Sequence, residues 1–149
     1  MTSRAAIEAF LARPAIAIAG VSRSGKKFGN LAWRELRAKG YRVYAIHPSA
    51  DVIDGERCYR TFADLPEPVD ALLVVVPPGD GASLIPAAAA AGVRRVWLQQ
   101  GASSDALLKL CESLNLEVVS GECILMFARP ASYHKVHRWV WGLLGKLPA

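Results

Sequence analysis

Residues 15–30 read AIAIAGVSRSGKKFGN and contain the transition that decides the fold of this chain. Ala15–Ala19 is a continuous apolar run of strand length, which predicts a buried strand. Apolar residues at positions 28, 31, 32 and 36 then share one face of a helix that stops at Gly40. A strand that runs through a short polar loop into an amphipathic helix is the first step of an α/β fold.

The same alternation continues along the chain. Further strands are predicted at Arg42–Ile46, Asp70–Val76, Arg94–Leu98 and Leu116–Val119, and further helices at Gly81–Ala91 and Ser104–Leu114. Strands that alternate with helices through short loops lie parallel, because right-handed crossovers return each strand beside an earlier one. We therefore predict a single doubly wound, Rossmann-like α/β domain with a parallel five-stranded sheet and helices on both faces.

Two terminal segments flank the α/β core, which we assign to residues 14–122. Residues 1–12 predict an amphipathic helix that is capped by Thr2 or Ser3 and covers the sheet. Residues 123–149 form a C-terminal extension, in which Tyr133–Leu147 mixes tryptophan and leucine with basic residues. This aromatic helix is of a kind that lies on a membrane or RNA, but more often packs on its own domain or on a twin subunit. We expect a homodimer, and no membrane or nucleic-acid partner.

Composition places the chain among globular proteins. Its 149 residues are 52% hydrophobic and 21% charged, which suits one buried core and argues against disorder. No apolar run of 18 residues and no signal peptide is found, so a cytoplasmic location is predicted. The three cysteines are widely spaced without a CxxC pair, and His134 and His137 have no further metal ligands beside them. Reduced cysteines and no metal site are therefore expected.

The loop after the first strand has the features of an anion site. Gly20 ends the strand, Arg23, Lys26 and Lys27 supply positive charge, and the following helix adds the partial charge of its N-terminus. The loop matches neither GxxxxGK[ST] nor GxGxxG, so the common nucleotide motifs do not identify its ligand. A polar connection without a ligand is the alternative.

The end of the second strand narrows the ligand class. Dinucleotide dehydrogenases generally have an acidic residue there for the ribose hydroxyls, whereas this chain runs from Ile46 into His47 and Pro48. Missing acceptors and abundant cations suit a phosphorylated ribose, which occurs in coenzyme A and in NADP. His47 either contacts adenosine or is a solvated loop residue. Pro77 and Pro78, after the third strand, either let a flat group pass or only end a buried strand.

Several segments together carry a family resemblance. They are Ile18–Arg23, Lys27–Asn30, Ile46–Pro48, Val74–Pro78 and Val96–Gly101. In this order and spacing the chain resembles the small bacterial CoA-binding proteins related to the nucleotide-binding domain of succinyl-CoA synthetase α subunits. The resemblance implies that Gly20, Val21, Ser22, Arg23, Lys26 and Lys27 contact the phosphates of CoA or acyl-CoA, that His47 and Pro48 lie near adenosine, and that Pro77, Pro78, Gln99, Gln100 and Gly101 line the path of the pantetheine arm.

Two departures limit what the resemblance implies. Family members commonly have asparagine where His47 precedes Pro48. The phosphorylated histidine domain and the nucleotide-grasp region of the synthetase are not found in these residues, so its ligase activity is not implied. HExxH, GxSxG and paired carboxylates are also missing, and whether any reaction is catalysed stays open.

Cys123 is the best candidate for chemistry, because family members often have a cysteine at this place. Its thiol would form a mixed disulfide with CoA if it is exposed and partly ionised, whereas the plain alternative is a small buried apolar side chain. The sequence thus predicts a CoA-binding sensor, carrier or regulatory protein. The alternatives are an NADP-linked oxidoreductase-like protein and an interaction module that docks through its C-terminal helix.

Overall fold

The computed structural model describes residues 2–128, and the predicted C-terminal helix with His134 and His137 lies outside them. The helices are Arg4–Leu11 (α1), Phe28–Ala38 (α2), Pro78–Ala90 (α3) and Asp105–Ser113 (α4). The strands are Ala15–Ala19 (β1), Arg42–Ile46 (β2), Val52–Ile53 (β3), Glu56–Tyr59 (β4), Ala71–Val74 (β5), Arg95–Leu98 (β6) and Glu117–Ser120 (β7). Two 3₁₀ turns follow β4 and β7, at Phe62–Asp64 and Ile124–Met126.

The strands form a sheet in the order β3-β4-β2-β1-β5-β6-β7. Every pairing is parallel except that between β3 and β4. Because β1 lies between β2 and β5, the chain first adds strands on the β2 side of β1, toward one edge of the sheet. It then returns and adds β5, β6 and β7 toward the other edge. The predicted doubly wound α/β class is confirmed, and the β1–β5 boundary is the switch point at which such sheets bind ligands.

Residues of β1 explain why both faces of the sheet are covered. Ile16 and Ile18 belong to the core beneath α1 and α2, whereas Ala15, Ala17 and Ala19 belong to the core beneath α3 and α4. All five are buried. A strand with helices on both faces is apolar at every position, which is the pattern that its sequence shows.

The prediction of five strands is wrong, because β3 and β4 form an additional hairpin at the edge of the sheet. Its turn is Asp54–Gly55, with φ angles of 53° and 76°. Two positive φ angles define a type I′ turn, for which Asp-Gly is a favoured sequence. Val52 is exposed and Glu56–Tyr59 is mostly polar, so the strands lack the apolar pattern by which the others were predicted.

The third predicted strand and the helix after it have different bounds from those expected. β5 ends at Val74, and α3 begins at Pro78 rather than at Gly81. Pro78 thus occupies the first helical position, where a missing N–H costs no hydrogen bond. Pro77 alone keeps the extended conformation that was expected of both prolines, with ψ of 154°.

The N-terminal helix α1 packs against β6 and β7, toward the opposite end of the strand order from β2. Ser3 caps it by accepting a hydrogen bond from Ala6 N. The Phe10 and Trp97 rings pack edge to face, with their centroids 5.4 Å apart. Thr2 Oγ1 donates to Ser120 O at 2.8 Å and accepts from Ser120 N at 2.9 Å, which ties the chain start to the end of β7. In residues 2–128 no helix is long and apolar enough to cross a membrane.

Candidate functional site

A cavity of about 990 Å³ opens where β1 and β2 end. Its walls come from both strand ends, from the segment after β4 and from one side of α3. The lining residues are Ala19, Gly20, Val21, Ile46, His47, Pro48, Arg60, Thr61, Phe62, Ala63, Val76, Asp80, Ser83, Leu84, Ala87, Ala90 and Ala91. Its volume and its mainly apolar wall are those of a small-molecule site, at the edge of the sheet where the strand order predicts one.

Two glycines allow close backbone packing at the end of β1, one against Val75 and the other between α2 and Gly20. Gly20 has a φ of 121°, and a Cβ there would lie 2.7 Å from Val75 Cβ. A Cβ on Gly29 would lie only 2.1 Å from Gly20 O. Gly20 was predicted to contact the ligand, and the structure shows that its conformation and its close neighbours also require glycine.

Buried Asn30 shapes the β1–α2 loop, defined here as residues 20–27. Its Oδ1 accepts from Ser22 N at 3.0 Å and its Nδ2 donates to Ser22 O at 2.8 Å. Ser22 Oγ accepts from Ser24 N at 3.2 Å, and Ser24 Oγ accepts from Lys26 N at 3.3 Å. The serine side chains therefore hold the loop's own backbone in place.

The loop presents its positive charge to solvent. Arg23, Lys26 and Lys27 are exposed, and within residues 2–128 none of them pairs with a carboxylate. Lys27 precedes α2 without capping it by its side chain, whereas Ser3 and Ser104 cap α1 and α4. Unpaired cations beside an uncapped helix N-terminus attract anions.

His47 lies on the cavity wall and holds the turn that follows β2. Its Nδ1 accepts from Ser49 N at 3.1 Å and from Ala50 N at 2.8 Å. An accepting Nδ1 requires a neutral ring with the proton on Nε2, and burial together with the Arg23 charge lowers the His47 pKa from 6.5. Accepting from N–H groups two and three residues ahead is what an asparagine side chain does in a turn. His47 therefore has the acceptor role that an asparagine side chain has in such a turn.

Arg60 and Phe62 are cavity residues that the sequence analysis missed. They follow β4, so their position depends on the hairpin that was not predicted. Arg60 Nη2 donates to Ser49 O at 3.3 Å and to Asp51 Oδ1 at 3.2 Å. Arg23 Nη2 donates to Ser49 Oγ at 2.8 Å, so two guanidinium groups converge on the turn after β2. The Asp54–Gly55 pair is the sequence signal that marks this hairpin.

The residues assigned to the pantetheine path do not contribute to the wall of this cavity. They are Pro77, Pro78, Gln99, Gln100 and Gly101. Gln99 is buried after β6, and its Oε1 accepts from Ile124 N at 3.1 Å. Gln100 Nε2 donates to Gly121 O at 3.3 Å. Both glutamines thus hold the segment that follows β7.

Cys123 lies in that segment and is half-buried. Cys58 and Cys111 are buried instead, and burial raises the pKa of both thiols, that of Cys111 to about 11. Cys123 is therefore the most accessible of the three thiols. Among the described residues no group of three or more His, Cys, Asp and Glu side chains is placed to hold a metal ion.

Comparison with known proteins relates this chain to a family. The family model for the CoA binding domain matches residues 14–129. Acetate–CoA ligase (ADP-forming) I from Archaeoglobus fulgidus is 27% identical, over 74% of this chain and 18% of that enzyme. A conserved hypothetical protein from Pyrococcus furiosus superposes with a TM-score of 0.68 at 37% identity, over 73% of this chain and 94% of that one. Acetyl-coenzyme A synthetase 1 from Ca. Korarchaeum cryptofilum does so with a TM-score of 0.61 at 28% identity, over 71% of this chain and 25% of that one.

The extent of these matches determines what they show. The chain spans only 18% of the length of the Archaeoglobus ligase, so the similarity concerns one part of that enzyme. The family match includes the β1–α2 loop, the cavity and the segment around Cys123. It supports coenzyme A as the ligand class and gives no support to NADP. The resemblance predicted from the sequence is confirmed, and the chain belongs to the CoA binding domain family.

Proposed function

We propose that this protein binds coenzyme A or an acyl-CoA and acts as a sensor, carrier or regulatory protein. The observation that carries the proposal is the loop with Arg23, Lys26 and Lys27, which are exposed and lack carboxylate partners within residues 2–128, beside an apolar cavity at the switch point. Coenzyme A combines an adenosine, a diphosphate and a ribose 3′-phosphate with a long neutral arm. Such a ligand needs a cationic surface for its phosphates and an apolar surface for its adenosine, side by side.

Adenosine suits the apolar part of the cavity. Phe62, Leu84 and Val76 offer apolar surface, and Ala87 with Ala91 leaves room beside α3. Ring stacking and burial of apolar area favour a flat base in such a space. The diphosphate then lies toward the β1–α2 loop, where backbone N–H groups, the α2 N-terminus and Lys26 with Lys27 favour negative charge.

Two sets of cations are candidates for the ribose 3′-phosphate. The first is Lys26 with Lys27. The second is Arg23 with Arg60, which both donate hydrogen bonds to Ser49 in the turn after β2. In Rossmann folds the ribose hydroxyls lie near the end of the second strand, so its position favours the arginine pair. Arginine also binds phosphate through paired donors, which lysine does not offer.

Calorimetric titration of the reduced protein with CoA, 3′-dephospho-CoA and NADPH tests the proposal. We expect CoA to bind, dephospho-CoA to bind about tenfold more weakly for loss of a charge-assisted contact, and NADPH to bind more weakly than CoA. Stronger binding of NADPH, or no binding of any of the three, would contradict the proposal.

Variants of the two cation sets identify the phosphate contact. Arg60→Gln should reduce the preference for CoA over dephospho-CoA if the arginine pair meets the 3′-phosphate. Lys26→Gln with Lys27→Gln should then weaken both ligands equally. Glu8→Gln, which removes an exposed ion pair with Arg4 on α1, is a control that should change neither.

The proposal extends to the Cys123 thiol. Along the sheet β7 is the third strand from β1, about 14 Å away at ordinary strand spacing, so only the far end of the arm would approach it. In the presence of CoA disulfide, the Cys123 thiolate would attack one sulfur, form a protein–CoA mixed disulfide and release the other CoA as thiolate. Mass spectrometry should show one added CoA on the wild type and none on Cys123→Ser. An unmodified wild type would refute this step.

A further inference from the structure

The turn of the β3–β4 hairpin reaches back to the β1–α2 loop through the Asp54 side chain. Asp54 and Gly55 form the type I′ turn, and Asp54 occupies its first position with a φ of 53°. The hairpin therefore fixes the direction of this carboxylate. Asp54 is not among the residues that line the cavity.

The Asp54 carboxylate contacts the loop and the first turns of α2. Asp54 Oδ2 accepts from Asn30 Nδ2 at 3.5 Å and from Arg34 Nη1 at 3.3 Å. Arg34 Nη1 also donates to Gly25 O at 3.3 Å. A Cβ built on Gly25 would lie 3.0 Å from Asp54 Oδ1, so the carboxylate lies directly over the loop backbone.

These contacts join the hairpin to the network that shapes the loop. Asn30 is fully buried, and the same amide nitrogen that meets Asp54 also donates to Ser22 O. The outgoing strand β4 leads to Arg60 and Phe62 on the cavity wall. One short hairpin thus holds the loop at its turn and supplies part of the cavity at its end.

A carboxylate beside a proposed phosphate site weakens anion binding by its charge, which argues against a direct contact with the ligand. Arg34 balances that charge at 3.3 Å. We propose that Asp54 is a positioning residue, which holds the β1–α2 loop in its ligand-binding conformation before coenzyme A arrives. The inference rests on the proposed function. A loop that is ordered in advance does not lose its conformational freedom at the moment of binding, and affinity rises accordingly.

Two substitutions separate the side chain from the turn. Asp54→Gly removes the carboxylate, and Gly-Gly still accepts a type I′ turn. Asp54→Asn keeps the turn and a hydrogen-bond acceptor but removes the charge. Glu8→Gln is the matched control, because it removes a carboxylate from another exposed arginine pair.

Amide hydrogen exchange of the unliganded protein and CoA titration are the measurements. For Asp54→Gly we expect faster exchange confined to residues 22–30 and about tenfold weaker CoA binding. The CoA affinity of Asp54→Asn should fall by about threefold or less, and that of Glu8→Gln should not change. Unchanged loop exchange in Asp54→Gly, or faster exchange spread over the central strands, would overturn the positioning role.

The two readouts distinguish this inference from the proposed function. If the wild type fails to bind CoA, the proposed function is wrong, and the exchange measurement on the unliganded protein still decides whether Asp54 orders the loop. If the wild type binds CoA and Asp54→Gly binds equally well, the proposed function stands and the positioning role is wrong.

Discussion

The β1–α2 and β5–α3 junctions leave neighbouring parallel strands at the same edge of the sheet, and each leads into a helix without a side-chain cap. The first covers residues 20–27 and carries Arg23, Lys26 and Lys27. The second covers residues 75–77, carries no charge and is followed by Asp80 in the first turn of α3. Added cations reinforce the positive end of α2, whereas a carboxylate offsets that of α3. Equivalent backbone positions therefore favour an anion at only one of the two strands.

The two junctions also differ in the space around the second residue of the helix. Gly29 and Gly79 are each the second residue of their helix. A Cβ on Gly29 would meet Gly20 O at 2.1 Å, whereas a Cβ on Gly79 would meet nothing within 4 Å. Helix α2 therefore starts against the strand backbone, whereas the exposed Gly79 of α3 faces open space and does not line the cavity. Charge and close backbone packing thus lie at the β1–α2 junction, and side chains farther along α3 line the cavity.

Gly29→Ala should produce the largest effect. The added methyl group overlaps backbone of Gly20, which cannot move aside as a flexible side chain does. We expect a loss of about 3 kcal/mol or more in the free energy of unfolding, measured by urea denaturation. A loss below about 1 kcal/mol would mean that α2 does not depend on this close approach.

Charge changes at the two junctions should have opposite effects on CoA binding. Lys26→Gln with Lys27→Gln should weaken binding about tenfold, with the difference shrinking as salt is raised. Asp80→Asn removes a negative charge from the cavity wall and should strengthen binding about twofold. Calorimetry at low and high salt measures both. Weaker binding by Asp80→Asn would show that the α3 junction also contacts the ligand through this side chain.

The central strands were predictable because their burial on two faces leaves unbroken apolar runs. The β3–β4 hairpin was not, because Val52 is exposed and β4 is mostly polar, and only the Asp54–Gly55 pair marked it. Arg60 was missed for the same reason, since its place on the cavity wall depends on β4.

The cavity includes some of the candidate site residues and not others. Gly20, Val21, His47 and Pro48 do line the cavity, because strand ends are found from the apolar runs themselves. Gln99 was assigned to the ligand path, but its side chain holds Ile124 N. A glutamine that ends a strand has the same sequence pattern whether it meets a ligand or the chain's own backbone, so only the structure reveals its partner.

His47 tests whether the turn after β2, which adjoins the β1–α2 loop through Arg23 and Ser49, depends on a side-chain acceptor. His47→Ala removes an acceptor for two backbone N–H groups and should cost about 1 kcal/mol of unfolding free energy at pH 8. His47→Asn should retain most of this unfolding free energy, because asparagine offers an acceptor in the same kind of turn. Urea denaturation compares the variants. Equal losses in both would refute the acceptor role.

The pH dependence of stability follows from the burial of His47 and from the Arg23 charge beside it, which together lower the His47 pKa. Because the folded protein lowers the His47 pKa, the unfolded chain binds a proton more readily. The wild type should therefore be fully stabilised by this residue above its unfolded pKa of 6.5, and should lose that stability as the pH falls through the lower folded value. His47→Asn should lack this component. An identical pH profile for wild type and His47→Asn would contradict the assignment.

Gly79→Ala is the matched opposite of Gly29→Ala and should have the smallest effect. The position is helical, and open space surrounds the added methyl group. Alanine restricts the unfolded chain more than glycine does, so the free energy of unfolding should rise by about 0.5 kcal/mol, and CoA affinity should not change. Urea denaturation beside Gly29→Ala gives the comparison. If both substitutions destabilise equally, the close approach of Gly29 to the Gly20 backbone is not what makes Gly29→Ala destabilising.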